Sequence, residues 1–405
     1  MAQATGIFKQ VSLKREVTYG LVPAAAGAQL MRRVTSTVDL SKDTYASNEI
    51  RPDFQIADYR HGVRRVKGTL SGELSPKTYS DPISAMLKRD FTAGVAAAAL
   101  AITIGGLAGA WTVTRGTGSY LTDGFKIGDV IRLSVGGFTA ANLSKNLMIT
   151  ALTATIATCI VLNASLLVVE GPISGSTVTV FGKKTFIPTT GQTDISYSLE
   201  HYFSDIVQSE VFSGVKFDKG AINLPPTGMA TIALDVIGQD LAQRATSRYF
   251  TSPTSITTTG VVAAVNGILI VGGVAQTVVT GLSINIDPMF SGDPVVGANT
   301  VPNQFAGPVN VTGQFTAYFT DATLRDLFVN ETESSLMVVL TTDNTATADF
   351  ISFVLSRIKV GGQQKNDGTG GIVQTFPFQA LINVANGGAG FANEATTITC
   401  QDSQA

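Results

Sequence analysis

Residues 66–90, VKGTLSGELSPKTYSDPISAMLKRD, open with Val-X-Gly and set Leu70 and Leu74 at alternate places among smaller or polar residues. That is the period-two pattern of a strand with one face on a core. The period then changes. Ile83, Met86 and Leu87 fall at i, i+3 and i+4, which predicts a short helix with Asp81 capping its first turn and Pro82 at the first helical position. The same succession returns at residues 311–330, VTGQFTAYFTDATLRDLFVN. There Phe315 and Phe319 mark the strand, Asp321 the cap, and Leu324, Leu327 and Phe328 the helical stripe.

The neighbourhood of the two units repeats as well. The strand pattern STVDL has a counterpart in GLSINI, and each precedes a long segment, residues 41–65 and 286–310. Behind each helix comes a hairpin, VFSGVKFDKGAINLPPTGMATIALDVIG and then VLSRIKVGGQQKNDGTGGIVQTFPFQAL. In these, Val215-Lys216-Phe217 aligns with Ile358-Lys359-Val360, and Ile232 and Leu234 with Phe376 and Phe378. Residues 92–190 have no counterpart, and their Ala, Gly, Thr and Val runs read as five or six short strands joined by Gly or Asn turns.

The expected fold is therefore mainly β: sandwich or barrel domains with short helices, duplicated in tandem, plus an inserted small β domain. Residues 1–91 with 191–240 form the first repeat, 92–190 the insert, 241–384 the second repeat and 385–405 an aperiodic tail. The insert is expected on the outside and dispensable for the repeat that carries it. The tail is expected to be mobile or held by a neighbour.

Charged residues make up only 14% of the chain, against about 25% in ordinary soluble domains. Such a surface suits burial against partners. Up to Phe91 there are 14 cations against 9 acids, and afterwards 14 against 21, so the two parts present different fields. Cys159 and Cys400 lie too far apart in sequence for a disulfide framework or a metal-ligand spacing. The first 17 residues contain no apolar core of a signal peptide, making the cytoplasm the expected place of folding. Uncharged runs at 92–114, 149–169 and 260–285 meet the length rule for a membrane helix. They are broken by Gly-Gly and Asn-Gly turns, so buried hairpin strands are expected and membrane insertion is not.

Chemistry is sparse. His61 sits in the polar loop and His201 alternates into a strand, without the nucleophile or paired carboxylate that catalysis needs. The glycine-rich pieces lack the strand-to-helix setting and lysine of a phosphate loop. Arg32-Arg33 and Arg64-Arg65 lack interleaved aromatics or a recognition helix, and interface salt bridges explain them better than nucleic-acid reading. No enzyme, cofactor or metal site is expected.

Residues 15–76, REVTYG through GELSP, resemble the major tail tube proteins of long non-contractile-tailed bacteriophages. So do SYSLEHYFSD, LPPTGMATIALDVIGQD, FAGPVNVTGQFTAYFTD and NETESSL further on. The resemblance implies a structural virion protein, assembled in the host cytoplasm, whose rings stack into a tube with a closed β-barrel wall. DNA passes non-specifically through such a tube, and tape measure and terminator proteins are implied partners. The competing expectation is a tandem β-module adhesin or decoration protein, which has no need of a long charged loop placed alike in both copies.

Three expectations join the resemblance to the residues. The polar loop should reach the next ring through Asp43, Glu49, Arg51, Asp53, Asp58, Arg60, Arg64 and Arg65. A lumen for a sliding polyanion should avoid clustered cations. On the face where Asp194, Ser196, Ser198 and Glu200 alternate, Asp194 and Glu200, with Glu331 and Glu333 of the second copy, are the lumen-lining candidates. Finally, if each repeat fills one wall position of the simpler relatives, three chains make a pseudo-sixfold ring.

Overall fold

The computed structural model describes residues 3–164, 166–320, 322–366, 369–384 and 392–405. Among the described residues the chain is mainly β, with twenty strands in one hydrogen-bonded network and six closing a separate barrel. Eight strands of the network form a continuous antiparallel wall, four from each repeat. In chain order these are β1 (Asp39–Ala46), β2 (Tyr59–Glu73), β3 (Gln208–Leu224), β4 (Thr231–Gly238), β5 (Val279–Asp287), β6 (Asn310–Tyr318), β7 (Phe350–Val360) and β8 (Val373–Ala380). Across the wall they run β1-β2-β4-β3-β5-β6-β8-β7.

The duplication is thus topological. In each repeat a hairpin (β1–β2, β5–β6) pairs with a later strand (β4, β8), which pairs with a long one (β3, β7). The long strand continues into a second, outer sheet. There β3 meets Tyr197–Phe203, which meets Lys9–Arg15, while β7 meets Ser334–Thr341, which meets Gly267–Val271. Register refines the sequence alignment by two residues. Val236 and Phe378 stand opposite the equivalent glycines Gly68 and Gly313, so Leu234 matches Phe376 and Val236 matches Phe378.

Wall and outer sheet enclose one apolar core that runs through both repeats. Val66, Leu70, Leu234, Val236, Phe217 and Ile222 contribute from the first, Leu282, Ile284, Val311, Phe315, Phe376 and Phe378 from the second. Helix α1 (Ser80–Met86) packs into it with Ile83, Met86 and Leu87 fully buried. Asp81 lies inside the first turn and Tyr79 is the residue before the helix, so the expected Asp81 cap is absent. A carboxylate there still favours the positive end of the helix. The corresponding Asp321 lies outside the described residues.

The insert is the closed barrel. Its strands Ala96–Leu107, Ala110–Arg115, Val130–Ser134, Leu147–Leu152, Ile156–Val161 and Glu170–Val180 surround Ile102, Ile104, Val113, Leu133, Ile149 and Val178. Between two of them lies the four-residue helix α2 (Tyr120–Asp123), capped by Ser119 and ended by Gly124 at φ 91°. The barrel hangs on a stem in which Thr92–Ala93 pairs with Lys183–Phe186. It docks on the other repeat: Val130, Met148 and Leu162 pack on Ile270, Met337, Val339, Phe350 and Val354. Beneath this contact Lys184 Nζ is buried, 3.1 Å from Asp129 and 2.5 Å from Glu394.

Two expected boundaries move. Strand Asp240–Ala245 pairs with β3 of the first repeat, and the chain stays on that repeat as far as Val262, so the first repeat runs past residue 240. In the tail, Thr399–Asp402 forms a strand between Lys183–Phe186 and β7, so the chain itself holds that part. Among the described residues no helix is long and apolar enough to cross a membrane. The uncharged runs fall largely in strands.

Candidate functional site: the open face of the wall

One face of the eight-strand wall is covered by the core; the other is open. Because side chains alternate along a strand, the register fixes which residues line the open face. One row crosses it through Ser71, Ala233, Ala221, Asn285, Thr312, Gln379 and Lys359, each directly opposite the next. A second runs through Glu73, Thr231, Asn223, Ser283, Gln314 and Pro377. The rows cross from one repeat to the other without a break at Ala221–Asn285 and Asn223–Ser283.

In these two rows of the face most side chains are hydroxyls and amides, with Ala221, Ala233, Pro377, Glu73 and Lys359 among them. Its cations are matched: Lys67 stands opposite Asp39, Lys219 opposite Asp235, and Lys359 Nζ lies 3.1 Å from Glu331. Among the described residues each of these lysines faces an acid across the ladder or is ion-paired, whereas tight phosphate-backbone binding needs a run of free cations.

The four acids expected to line a lumen separate. Glu200 is fully buried, and its carboxylate accepts hydrogen bonds from Ser209 Oγ at 2.6 Å, Tyr249 N–H at 2.7 Å and Phe250 N–H at 3.2 Å. It faces the interior of the chain, which removes it as a lumen residue. Ser196 and Ser198 of the same face donate to Glu16, which is also buried. Asp194 lies 2.7 Å from the buried Lys216, under the loop that follows β5. Glu331 and Glu333 are exposed at the far edge of the wall, paired with Lys359 and Arg357. Only these last two border the open face. Tyr197–Phe203, which carries Glu200, belongs to the outer sheet and not to the wall.

The long polar loop is a projecting hairpin, β1 and β2 with a tip at residues 47–58. Its charges pair within the chain: Arg51 with Asp53 at 2.7 Å, Arg60 with Asp58 at 2.6 Å, Arg65 with Asp43 at 3.9 Å, and Arg64 with Asp240 at 2.7 Å. Glu49 lies at the exposed tip, where Ser47 Oγ accepts from its N–H. Sequence reasoning missed the apolar side chains there. Ile50, Phe54 and Ile56 are largely exposed, a combination that costs little only when something covers them. Arg32 and Arg33, expected at interface salt bridges, instead donate to backbone carbonyls of Thr259, Gly6 and Lys9 within the chain.

His201 is buried, its Nε2 2.8 Å from Ser36 Oγ, and burial pushes its pKa down to about 3. It is therefore a neutral packing residue at ordinary pH. Among the described residues no group of three or more His, Cys, Asp or Glu is placed to hold a metal. Both cysteines are buried and free, with thiol pKa raised by burial.

Residues 9–380 match the family model described as phage tail tube protein. The chain belongs to the phage tail tube protein family. No curated protein matches it. As a tail tube protein it is a structural component of the phage virion tail, and the match takes in both repeats and the barrel between them.

Proposed function

We propose that three copies of this tail tube protein close a ring by joining their walls edge to edge, and that the rings stack into a hollow tube. The joint between the two repeats carries this reading. Residues 220–224 of β3 pair with residues 282–286 of β5 across the repeat boundary, so one repeat's long strand receives the next repeat's hairpin. At the ends of the chain the same two partners are left over. Among the described residues the short strand Gln364–Lys365, which follows β7, pairs only with β8, and β1 pairs only with β2. An unpaired strand edge is a template for another chain, and rotation about a closed axis satisfies every edge.

In such a ring each repeat fills one of six equivalent positions, and the barrels protrude as three lobes. The open polar face lines the channel through which DNA travels to the host, its matched charges giving the phosphates nothing to hold. The projecting hairpin, with Ile50, Phe54 and Ile56 at its tip, contacts the next ring. A tape measure protein inside the channel and a terminator at its end are the further tail partners of this arrangement. Negative-stain microscopy of the purified protein tests the reading. Hollow tubes whose end-on averages carry three outer lobes are expected; six lobes would replace the trimer by a hexamer, and protein that never forms tubes would overturn the assembly.

A further inference from the structure

The duplication extends to the segment ahead of each first outer strand. A 3-10 turn, Gly6–Phe8, precedes Lys9–Arg15, and another, Ala264–Asn266, precedes Gly267–Val271. Each turn exposes one aliphatic residue, Ile7 at 88% and Val265 at 82%. Lys9 pairs with Phe203 as Gly267 pairs with Leu340, which makes Ala4 the equivalent of Val262 and Thr5 that of Ala263.

What Val262 does is well defined. It threads between two segments of the preceding repeat, its N–H donating to the Leu74 carbonyl at 3.0 Å and its carbonyl accepting from the Ala230 N–H at 3.0 Å. Ala263 is bridged to Met229 in antiparallel fashion. Leu74, Ala230 and Val262 are sealed from solvent.

The second repeat has the same seat, and among the described residues no segment threads through it. Phe319 N–H donates to the Ile372 carbonyl at 2.8 Å, as Leu74 N–H does to the Ala230 carbonyl at 2.8 Å. Among the described residues, however, the Phe319 carbonyl and the Ile372 N–H have no partner. Phe319 and Ile372 are 40% and 44% exposed, and beside them helix α3 (Thr323–Val329) leaves Phe328 and Val329 uncovered where α1 is buried.

We propose that residues 3–5 of a second copy of this chain thread between Phe319 and Ile372, as Val262 threads between Leu74 and Ala230. Ala4 of the incoming chain would supply the donor for the Phe319 carbonyl and the acceptor for the Ile372 N–H, and Thr5 would lie opposite Gly371. This is strand addition on a built-in template, with main-chain bonds supplying the fit. The segment cannot make this contact within its own chain, because its strand Lys9–Arg15 is fixed in the first repeat against Tyr197–Phe203. The inference rests on the ring reading above.

The test is a Thr5→Cys, Gly371→Cys double variant, oxidised after assembly and run on a non-reducing denaturing gel. Direct strand neighbours are within disulfide reach, and the native cysteines are both buried. Dimer and trimer bands with nothing larger are expected, absent from either single variant. Tubes that form without cross-linking overturn the threading while leaving the ring standing. Failure of the unaltered chain to form rings overturns the ring and the threading with it. Deletion of residues 2–5 is the second variant: folded protein that no longer closes rings supports the threading, and tubes formed as by the full chain overturn it.

Discussion

The outward faces of the two outer sheets occupy equivalent places and have opposite chemistry. In the first repeat Ser12 pairs with Glu200; in the second the same positions are Ile270 and Met337. The polar pair is covered by the connecting segment, whose Tyr249 and Phe250 amides bind the Glu200 carboxylate. The apolar pair is covered by Val130, Met148 and Leu162 of the barrel. All of these outer-sheet residues but Ser12, whose hydroxyl has no partner, are matched to their cover, and Glu200 is satisfied by the Ser209 hydroxyl and two backbone N–H groups rather than a cation. The core-facing positions of these strands are apolar in both copies except at His201, which stands where the second repeat has Val338, whereas the outward positions follow whatever docks on them. The barrel therefore does more than decorate: inserted into the first repeat, it closes the second.

Removing the barrel breaks this comparison most severely. Replacing residues 94–181 by a Gly/Ser linker uncovers Ile270, Met337, Val339, Phe350 and Val354 together. At about 1.5–3 kcal/mol for each large apolar side chain returned to water, the loss rivals the whole stability of an ordinary domain. Aggregation or unfolding of the second repeat is expected in size-exclusion and thermal melts, in place of the dispensable insert anticipated from sequence. Adding Ile270→Thr, Met337→Thr and Val339→Thr to the deletion should restore solubility. If the plain deletion is soluble and melts like the full chain, the docking contributes nothing.

A smaller effect separates two equivalent ion pairs. Lys216–Asp194 and Lys359–Glu331 occupy matching positions, but Lys216 is 1% exposed and also donates to the Gln304 carbonyl at 2.6 Å, while Lys359 and Glu331 are 43% and 78% exposed. Removing the partner of a buried charge is costly, reduced here because Asp194 is itself half exposed, so Asp194→Asn should cost about 1–3 kcal/mol. Glu331→Gln should cost less than about 1 kcal/mol in the isolated chain. Denaturant melts of the two variants make the comparison. Equal losses would mean that the loop over Lys216 does not isolate it from water.

Much of this architecture is legible in the chain. The period-two and period-3.6 runs at 66–90 and 311–330 give strand and helix, and their recurrence gives the duplication, because a core-facing position tolerates few residue types. The open face was legible too, as the alternation of Thr312, Gln314 and Thr316 or Ser283 and Asn285 with buried aliphatics. Alternation cannot say which of two stacked sheets a strand joins, and that is how Glu200 came to be misplaced. Nor does it show what covers a face: the apolar LMVVL of Ser334–Thr341 is inward on one side and docked on the other, and both sides read alike.

The finest distinction between the repeats is a proton. His201 in the first repeat is matched by Val338 in the second, since each stands two places beyond the equivalent pairs Leu199–Phe212 and Leu336–Leu355. Burial, then the charges of Lys9 and Arg33, lower the His201 pKa to about 3. The unfolded chain takes up a proton near pH 6.5, the folded chain only near 3. Stability from this group is thus fully present above the unfolded pKa and falls as pH drops through that window, by at most about 1.4 kcal/mol per pH unit. Asp402 acts in the opposite sense: burial pushes its pKa up to about 6, so its folded form keeps a proton that the unfolded form loses between about pH 4 and 6. The two slopes oppose each other in the intact chain, and the difference between wild type and His201→Val isolates the histidine. The variant should lose about 1 kcal/mol near pH 7, where Ser36 forfeits its partner, and that deficit should shrink and then reverse as the pH is lowered from 6.5 towards 4. A deficit constant across that range in chemical denaturation would mean that His201 takes up its proton in the folded chain at the same pH as in the unfolded one.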